Sequence, residues 1–73
     1  MQEALIVRDP KVMLGKPIIK GTRITVELIV RKIADGFSIQ DILDGYPALT
    51  EEQIRTALDY AARMIADEIV LEA

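Results

Sequence analysis

The stretch Gly15-Lys16-Pro17-Ile18-Ile19-Lys20-Gly21-Thr22-Arg23-Ile24-Thr25 divides this chain into two kinds of backbone. Pro17 fixes φ, and Ile18 and Ile19 favour a pleated backbone, so Lys16 to Lys20 is expected to be extended. Gly21 reaches positive φ without steric cost and lets the chain turn. Thr22 to Ile24 is then expected to run back as a further short strand, and Thr25 to open a helix. Ahead of the stretch, Leu5-Ile6-Val7 is a short apolar run closed by Asp9-Pro10, which reads as a first strand. A lone strand leaves its backbone groups unsatisfied, so it should pair with the Gly15–Lys20 segment or with a second copy of the protein. Lys11 to Leu14 joins the two, and its residues prescribe no local conformation.

Three helices follow, each with a legible start. Thr25 is placed to N-cap the first, with Glu27 near the positive end of the helix dipole and Ile24 and Ile29 at the staple positions. Val26, Ile29, Val30 and Ile33 repeat at helical spacing and define a core-facing stripe. That helix should run to about Asp35, where Gly36 supplies a left-handed stop. Ser38-Ile39-Gln40-Asp41 has the form of a capping box, with Phe37 and Ile42 as its staple. This second helix is short and should end at Gly45, before a turn at Tyr46-Pro47. Thr50-Glu51-Glu52-Gln53 is another capping box, with Leu49 and Ile54 as staple. Ile54, Leu58, Ala61, Ile65 and Ile69 form a seam along the third helix, which should reach Asp67 or beyond. Ala57, Ala61 and Ala62 keep it slim enough for a close neighbour. Ile69-Val70-Leu71 is apolar on consecutive positions, which suits a partner surface or an extended tail better than a helix with one buried face.

The fold class expected is therefore α+β in one domain spanning 1–73. A short β-hairpin occupies 1–24. A three-helix unit of helix-turn-helix type, homeodomain-like or winged-helix-like, occupies 25–73 and ends in a C-terminal interface segment. The chain holds 23 Ile, Leu and Val residues among 73. A core this small does not easily hide that much aliphatic surface, so a homodimer through the N-terminal strands, the long helix or both is expected.

Composition removes several function classes. Without cysteine there is no disulfide framework or Cys-based zinc site, and without histidine there is no imidazole chemistry. No cofactor is implied, and no carboxylate pair has surroundings that suggest general acid–base work, so an enzyme is not expected. No apolar run approaches the ~18 residues of a membrane span, and the first residues lack a signal-peptide pattern, so a cytoplasmic protein is expected. The net charge of −3 conceals a split. Residues 1–36 carry seven Lys/Arg against four Asp/Glu, whereas residues 37–73 carry two against eight. Generic nucleic-acid binding by the second half is disfavoured, and a basic surface on the first half remains open.

Two sets of candidate residues follow. Lys16, Lys20, Thr22, Arg23, Arg31 and Lys32 are candidates for contact with an anion or nucleic acid, Arg23 beside Thr22 being suited to bidentate contact. Gln53, Arg55 and Thr56 occupy the base-reading positions of the second helix of a helix-turn-helix, but Glu51 and Glu52 beside them are poorly placed next to phosphate. The bland alternatives stay open: solvated charges that protect a sheet edge, and a three-helix scaffold with the shape of a DNA reader but not its electrostatics. Gly15-Lys16-Pro17 is not a phosphate-binding loop, since the spaced upstream glycine and the Ser/Thr after the lysine are absent. The second set, Leu5, Ile6, Val7, Met64, Ile65, Ile69, Val70 and Leu71, are candidates for a dimer or partner interface. Asp41, Asp44, Glu51, Glu52, Asp59, Asp67, Glu68 and Glu72 form either a solvated helix face or a surface complementary to a basic partner.

The segment GKPIIKGTRI followed by TVELIVRKIADGFSIQDILDGYPALTEEQIRTALDYAA resembles a prokaryotic family known as domain of unknown function 433. The resemblance covers roughly Val7 to Arg63. It rests on the GTR after GKP, the helix ending at Asp35-Gly36, and Tyr46-Pro47 before Leu49-Thr50. It implies an antitoxin-like protein of the Vap type with a helix-turn-helix fold. Such a protein binds and neutralises a cognate PIN-like nuclease toxin and can bind its own promoter DNA. Many members carry Cys or His near the first GK and inside the hairpin, where this chain has Met13, Leu14 and Ile18, so a metal or redox role does not transfer. The other readings of the residues are a stand-alone DNA-binding regulator and a purely structural dimerisation module.

Overall fold

Backbone pairing begins where the β-branched residues are. The computed structural model describes the backbone of residues 5–68 and the side chains of residues 5–66. Ile69, Val70, Leu71 and Glu72, with the side chains of Asp67 and Glu68, lie outside the described residues. Strand β1 (Ile6–Val7) pairs antiparallel with strand β2 (Ile18–Ile19), with Ile6 opposite Ile19 and Val7 opposite Ile18. The Lys20 amide donates to the Leu5 carbonyl at 2.8 Å and extends the pairing. Both β2 side chains are buried although they point to opposite faces of the hairpin, and Ile19 is the one that joins the core formed with the helices.

The connection between the strands is a tight, hydrogen-bonded loop. Asp9 organises its start: its side chain accepts from the Lys11 amide at 2.9 Å and its carbonyl from the Val12 amide at 2.8 Å. A single 3-10 turn over Met13–Gly15 then places three successive residues at positive φ, namely Met13 at 50°, Leu14 at 58° and Gly15 at 80°.

The expected return strand at Thr22 to Ile24 does not form. Gly21 turns the chain at φ 84°, but the Thr22 hydroxyl donates to the Ile19 carbonyl at 2.8 Å and accepts from the Ile24 amide at 2.9 Å. The side chain thus engages groups that a ladder would have used, as Ser and Thr readily do in turns. What survives of the strand is one isolated bridge between Ile18 and Thr25.

Helix α1 (Val26–Ala34) starts at Thr25, whose buried hydroxyl accepts from the Leu28 amide at 3.0 Å. The Val26 amide donates to the Pro17 carbonyl at 2.9 Å, so the hairpin also satisfies one of the helix's unpaired donors. At the other end the Phe37 amide reaches the Lys32 carbonyl and the Gly36 amide reaches that of Ile33, both at 3.0 Å. With Gly36 at φ 99° this is a Schellman ending. A Schellman ending directs Phe37 back over its own helix, and Phe37 accordingly lies 4.9 Å beneath the Lys32 ammonium and is 44% exposed.

Helix α2 (Ile39–Gly45) opens with the reciprocal Ser38–Asp41 box, at 3.0 and 2.9 Å. A turn closed by the Leu49 amide on the Tyr46 carbonyl at 2.9 Å leads to helix α3 (Glu51–Glu68). Its own box joins Thr50 and Gln53, at 3.2 and 2.8 Å. The core gathers Ile19, Val26, Ile29, Ile42, Leu49, Ile54 and Ala57, so β2 and each of the three helices supply at least one buried residue. Ile6 of β1 packs against this cluster from its edge. The seam of α3 follows its expected course only at first. Ile54 and Ala57 are fully buried, Leu58 and Ala61 half-buried, and Ile65 is 52% exposed.

Candidate functional site

The exposed end of that seam borders a groove of about 550 Å³ between α1 and the second half of α3. Its α1 wall is built by Val26, Val30 and Ala34 with Glu27, Arg31 and Asp35, which recur at one-turn spacing along the whole helix. Tyr60, Ala61, Met64 and Ile65 form the α3 wall, and Lys16 and Pro17 close one end. The floor is apolar because the α1 stripe is wider than the core needs: Ile29 is fully buried, while Val30 is left half-covered at the side.

Two polar clasps stand beside this apolar surface. Arg8, just after β1, donates to the Tyr60 hydroxyl at 3.2 and 3.3 Å and ties the hairpin to α3. Lys16 Nζ lies 2.7 Å from Glu27 Oε1 and ties the hairpin to the first turn of α1. The Lys16 hydrogen bond and charge hold the Glu27 carboxyl below its ordinary range, with Arg31 adding a smaller pull in the same direction.

The candidate anion contacts are not brought into one patch. Lys16 and Arg31 stand at the groove, where Lys16 is occupied by Glu27. Lys32 is over Phe37, and Thr22 is bound into the Gly21 turn. Lys20 and Arg23 are exposed beside Gly21, and Arg23 borders a shallow depression that also contains Asp9. At the start of α3, Gln53 caps the helix and the Arg55 guanidinium grips Glu51 at 2.7 Å. Thr56 is half-buried. The base-reading positions therefore offer carboxylates and side chains already engaged within their own helix.

The interface candidates divide as well. Leu5, Ile6 and Val7 are half-buried and Val7 pairs within its own chain, whereas Met64 and Ile65 are groove residues. Ile69, Val70 and Leu71 fall outside the described residues. Arg8, Tyr60 and the α1 side of the groove carried no local signal, since Arg8 and Tyr60 meet across 52 positions of sequence. Among the described residues, no three acidic side chains converge as a metal site would require, and no helix is long and apolar enough to cross a membrane.

Residues 6–61 match the family described as "Protein of unknown function (DUF433)", a span from β1 into the middle of α3. An uncharacterised protein of Sinorhizobium fredii is 33% identical over 57 residues, which are 78% of this chain and 26% of that protein. An uncharacterised protein of Archaeoglobus fulgidus is 65% identical over 26 residues, 36% of this chain and 72% of that one. The crystal structure of a DUF433 member from Anabaena variabilis superposes with a TM-score of 0.78 at 32% identity, covering 81% of this chain and 58% of its own. This chain thus spans only part of the length of the Sinorhizobium and Anabaena proteins.

Proposed function

This chain belongs to the DUF433 family, and we propose that within it the chain acts as an antitoxin-like binding protein that covers a cognate PIN-like nuclease. The observation that supports this reading is the apolar α1–α3 groove, with Ile65 left half in water at its edge. Uncovered apolar surface next to charged side chains is what a protein-binding site needs, and an aliphatic floor offers nothing for catalysis. Docking is hydrophobic along the second half of α3. Asp67, Glu68 and Glu72 in the acidic C-terminal sequence supply charge complementary to the basic nucleic-acid groove of the nuclease, and that complementarity selects the partner. The site of action is the cytoplasm.

Co-purification with the product of the adjacent gene tests the reading, followed by expression of that product alone. A stable complex, and toxicity relieved by this chain, are expected. Reversing Asp67, Glu68 and Glu72 together to Lys should weaken the complex at least about tenfold; unchanged affinity would remove the electrostatic part of the mechanism. Autoregulation by DNA binding is the second reading, supported by exposed Lys20 and Arg23 at the Gly21 turn. It requires affinity for upstream DNA that falls steeply with salt, and no binding at low salt would eliminate it.

A further inference from the structure

The apolar stripe of α3 outlasts the core it serves. Ile54 and Ala57 are fully buried, yet Ile65 is 52% exposed and Met64 is only half-covered. In sequence the stripe continues with the same spacing of four to Ile69. Beside it, two helices with alanines at their shoulders, Ala34 and Ala61, leave an open apolar groove, the shape that a third helix fills. Charge indicates which helix. The groove rim carries Arg8, Lys16 and Arg31 from the basic half of the chain, against Glu27, already held by Lys16, and Asp35. The far half of α3 pairs Asp59 with Arg63, and Asp67, Glu68 and Glu72 follow in sequence with no further basic residue, which leaves that end of the chain net acidic. A second copy of this chain therefore brings both an apolar stripe and the complementary charge.

We propose that two copies pair through this surface, the far half of α3 of each lying in the α1–α3 groove of the other. The contact is isologous, so one patch serves both sides and the assembly closes at two chains. The two α3 helices cross near Ala61, whose small side chain allows close approach, one turn before Ile65. Ile65 of each copy passes out of water into the other's groove. The pairing goes beyond the antitoxin-like reading and does not depend on it. A nuclease that docks in the same groove has to displace the second copy, so dimer and complex are then alternative states of one surface.

The test uses this 73-residue chain alone. Sedimentation or light scattering across the micromolar range should give a two-chain mass. Ile65→Asp should weaken the pairing at least about tenfold with helicity retained, because a carboxylate would enter an apolar groove. The chain has no cysteine, so single cysteines report contacts cleanly. Ile65→Cys should cross-link to a two-chain species under mild oxidation. Leu14→Cys, at a residue 92% exposed on the hairpin loop, should not. A one-chain mass at every concentration overturns the proposal, as does a two-chain mass indifferent to Ile65→Asp, or cross-linking through position 14 and not 65. Should Ile65→Asp fail to fold, the cysteine pair decides. Failure to recover a nuclease would remove the proposed function and leave this pairing standing.

Discussion

Thr22 and Thr25 lie three positions apart and show how one hydroxyl can decide a stretch of backbone. Thr22 closes a turn onto Ile19, while Thr25 is turned inward and caps α1. Because Thr25 is both buried and bonded, Thr25→Ala should cost about 1–2 kcal/mol in urea unfolding, with Thr25→Ser recovering most of it. The Lys16–Glu27 pair is the other informative contact at this scale. Its bond lowers the Glu27 pKa in the folded chain, so the associated stabilisation is complete above the unfolded value of 4.5 and is lost as pH falls through the folded value. In an NMR titration, Lys16→Met should return Glu27 to the ordinary glutamate range and remove that acid-side dependence. An unchanged Glu27 midpoint would show that Lys16 is not the cause. Both side chains are largely exposed, so the effect belongs to the titration curve more than to global stability.

At the scale of elements, the helix starts were legible and the loops were not. A capping box closes within four residues, so Ser38–Asp41 and Thr50–Gln53 are spelled out locally and form as read. Gly36, the left-handed stop read from the sequence, ends α1 at φ 99° and aims Phe37 back over Lys32, a contact that the sequence does not announce. The loop before β2 carried no such code. Only its closure between two paired strands forces Met13 and Leu14 into positive φ, a region unfavourable for a side chain without local hydrogen-bonding capacity. Leu14 is 92% exposed and so gains little from packing in return. Leu14→Asn should therefore stabilise the hairpin by a few tenths up to about 1 kcal/mol, read from the denaturation midpoint. A loss of stability instead would mean that Leu14 holds the loop in a way its exposure hides.

For the whole molecule the decisive balance is between a small core and a long third helix. Ile54 is fully buried where the hairpin, α1 and α3 converge on one cluster. Ile54→Ala should cost about 2–5 kcal/mol. In a domain whose total stability is of order 5–15 kcal/mol, that is enough to lower the thermal midpoint by many degrees. Circular dichroism on heating would show it, and a midpoint unchanged within a degree or so would mean that the core is held elsewhere. The basic residues illustrate the opposite case. In sequence Lys16, Lys20, Arg23, Arg31 and Lys32 look like one cluster, but the folded chain sends them to the groove, to the Gly21 turn and onto Phe37. Which of them share a surface, as Lys16 and Arg31 do at the groove, had to be seen in three dimensions.

Sequence alone determined the order of the strands and helices that form and the residues that begin each helix, because those depend on hydroxyl caps, β-branching and glycine acting over a few positions. That β1 pairs with β2 of its own chain, and not with a second copy, was settled by the tertiary structure. Only tertiary structure decided that Thr22–Ile24 turns instead of pairing, that Arg8 reaches Tyr60, and that the stripe of α3 runs out into an open groove at Ile65. Those outcomes depend on where α1 and α3 come to lie against each other. That placement is set by the summed burial of residues tens of positions apart, which no local pattern encodes.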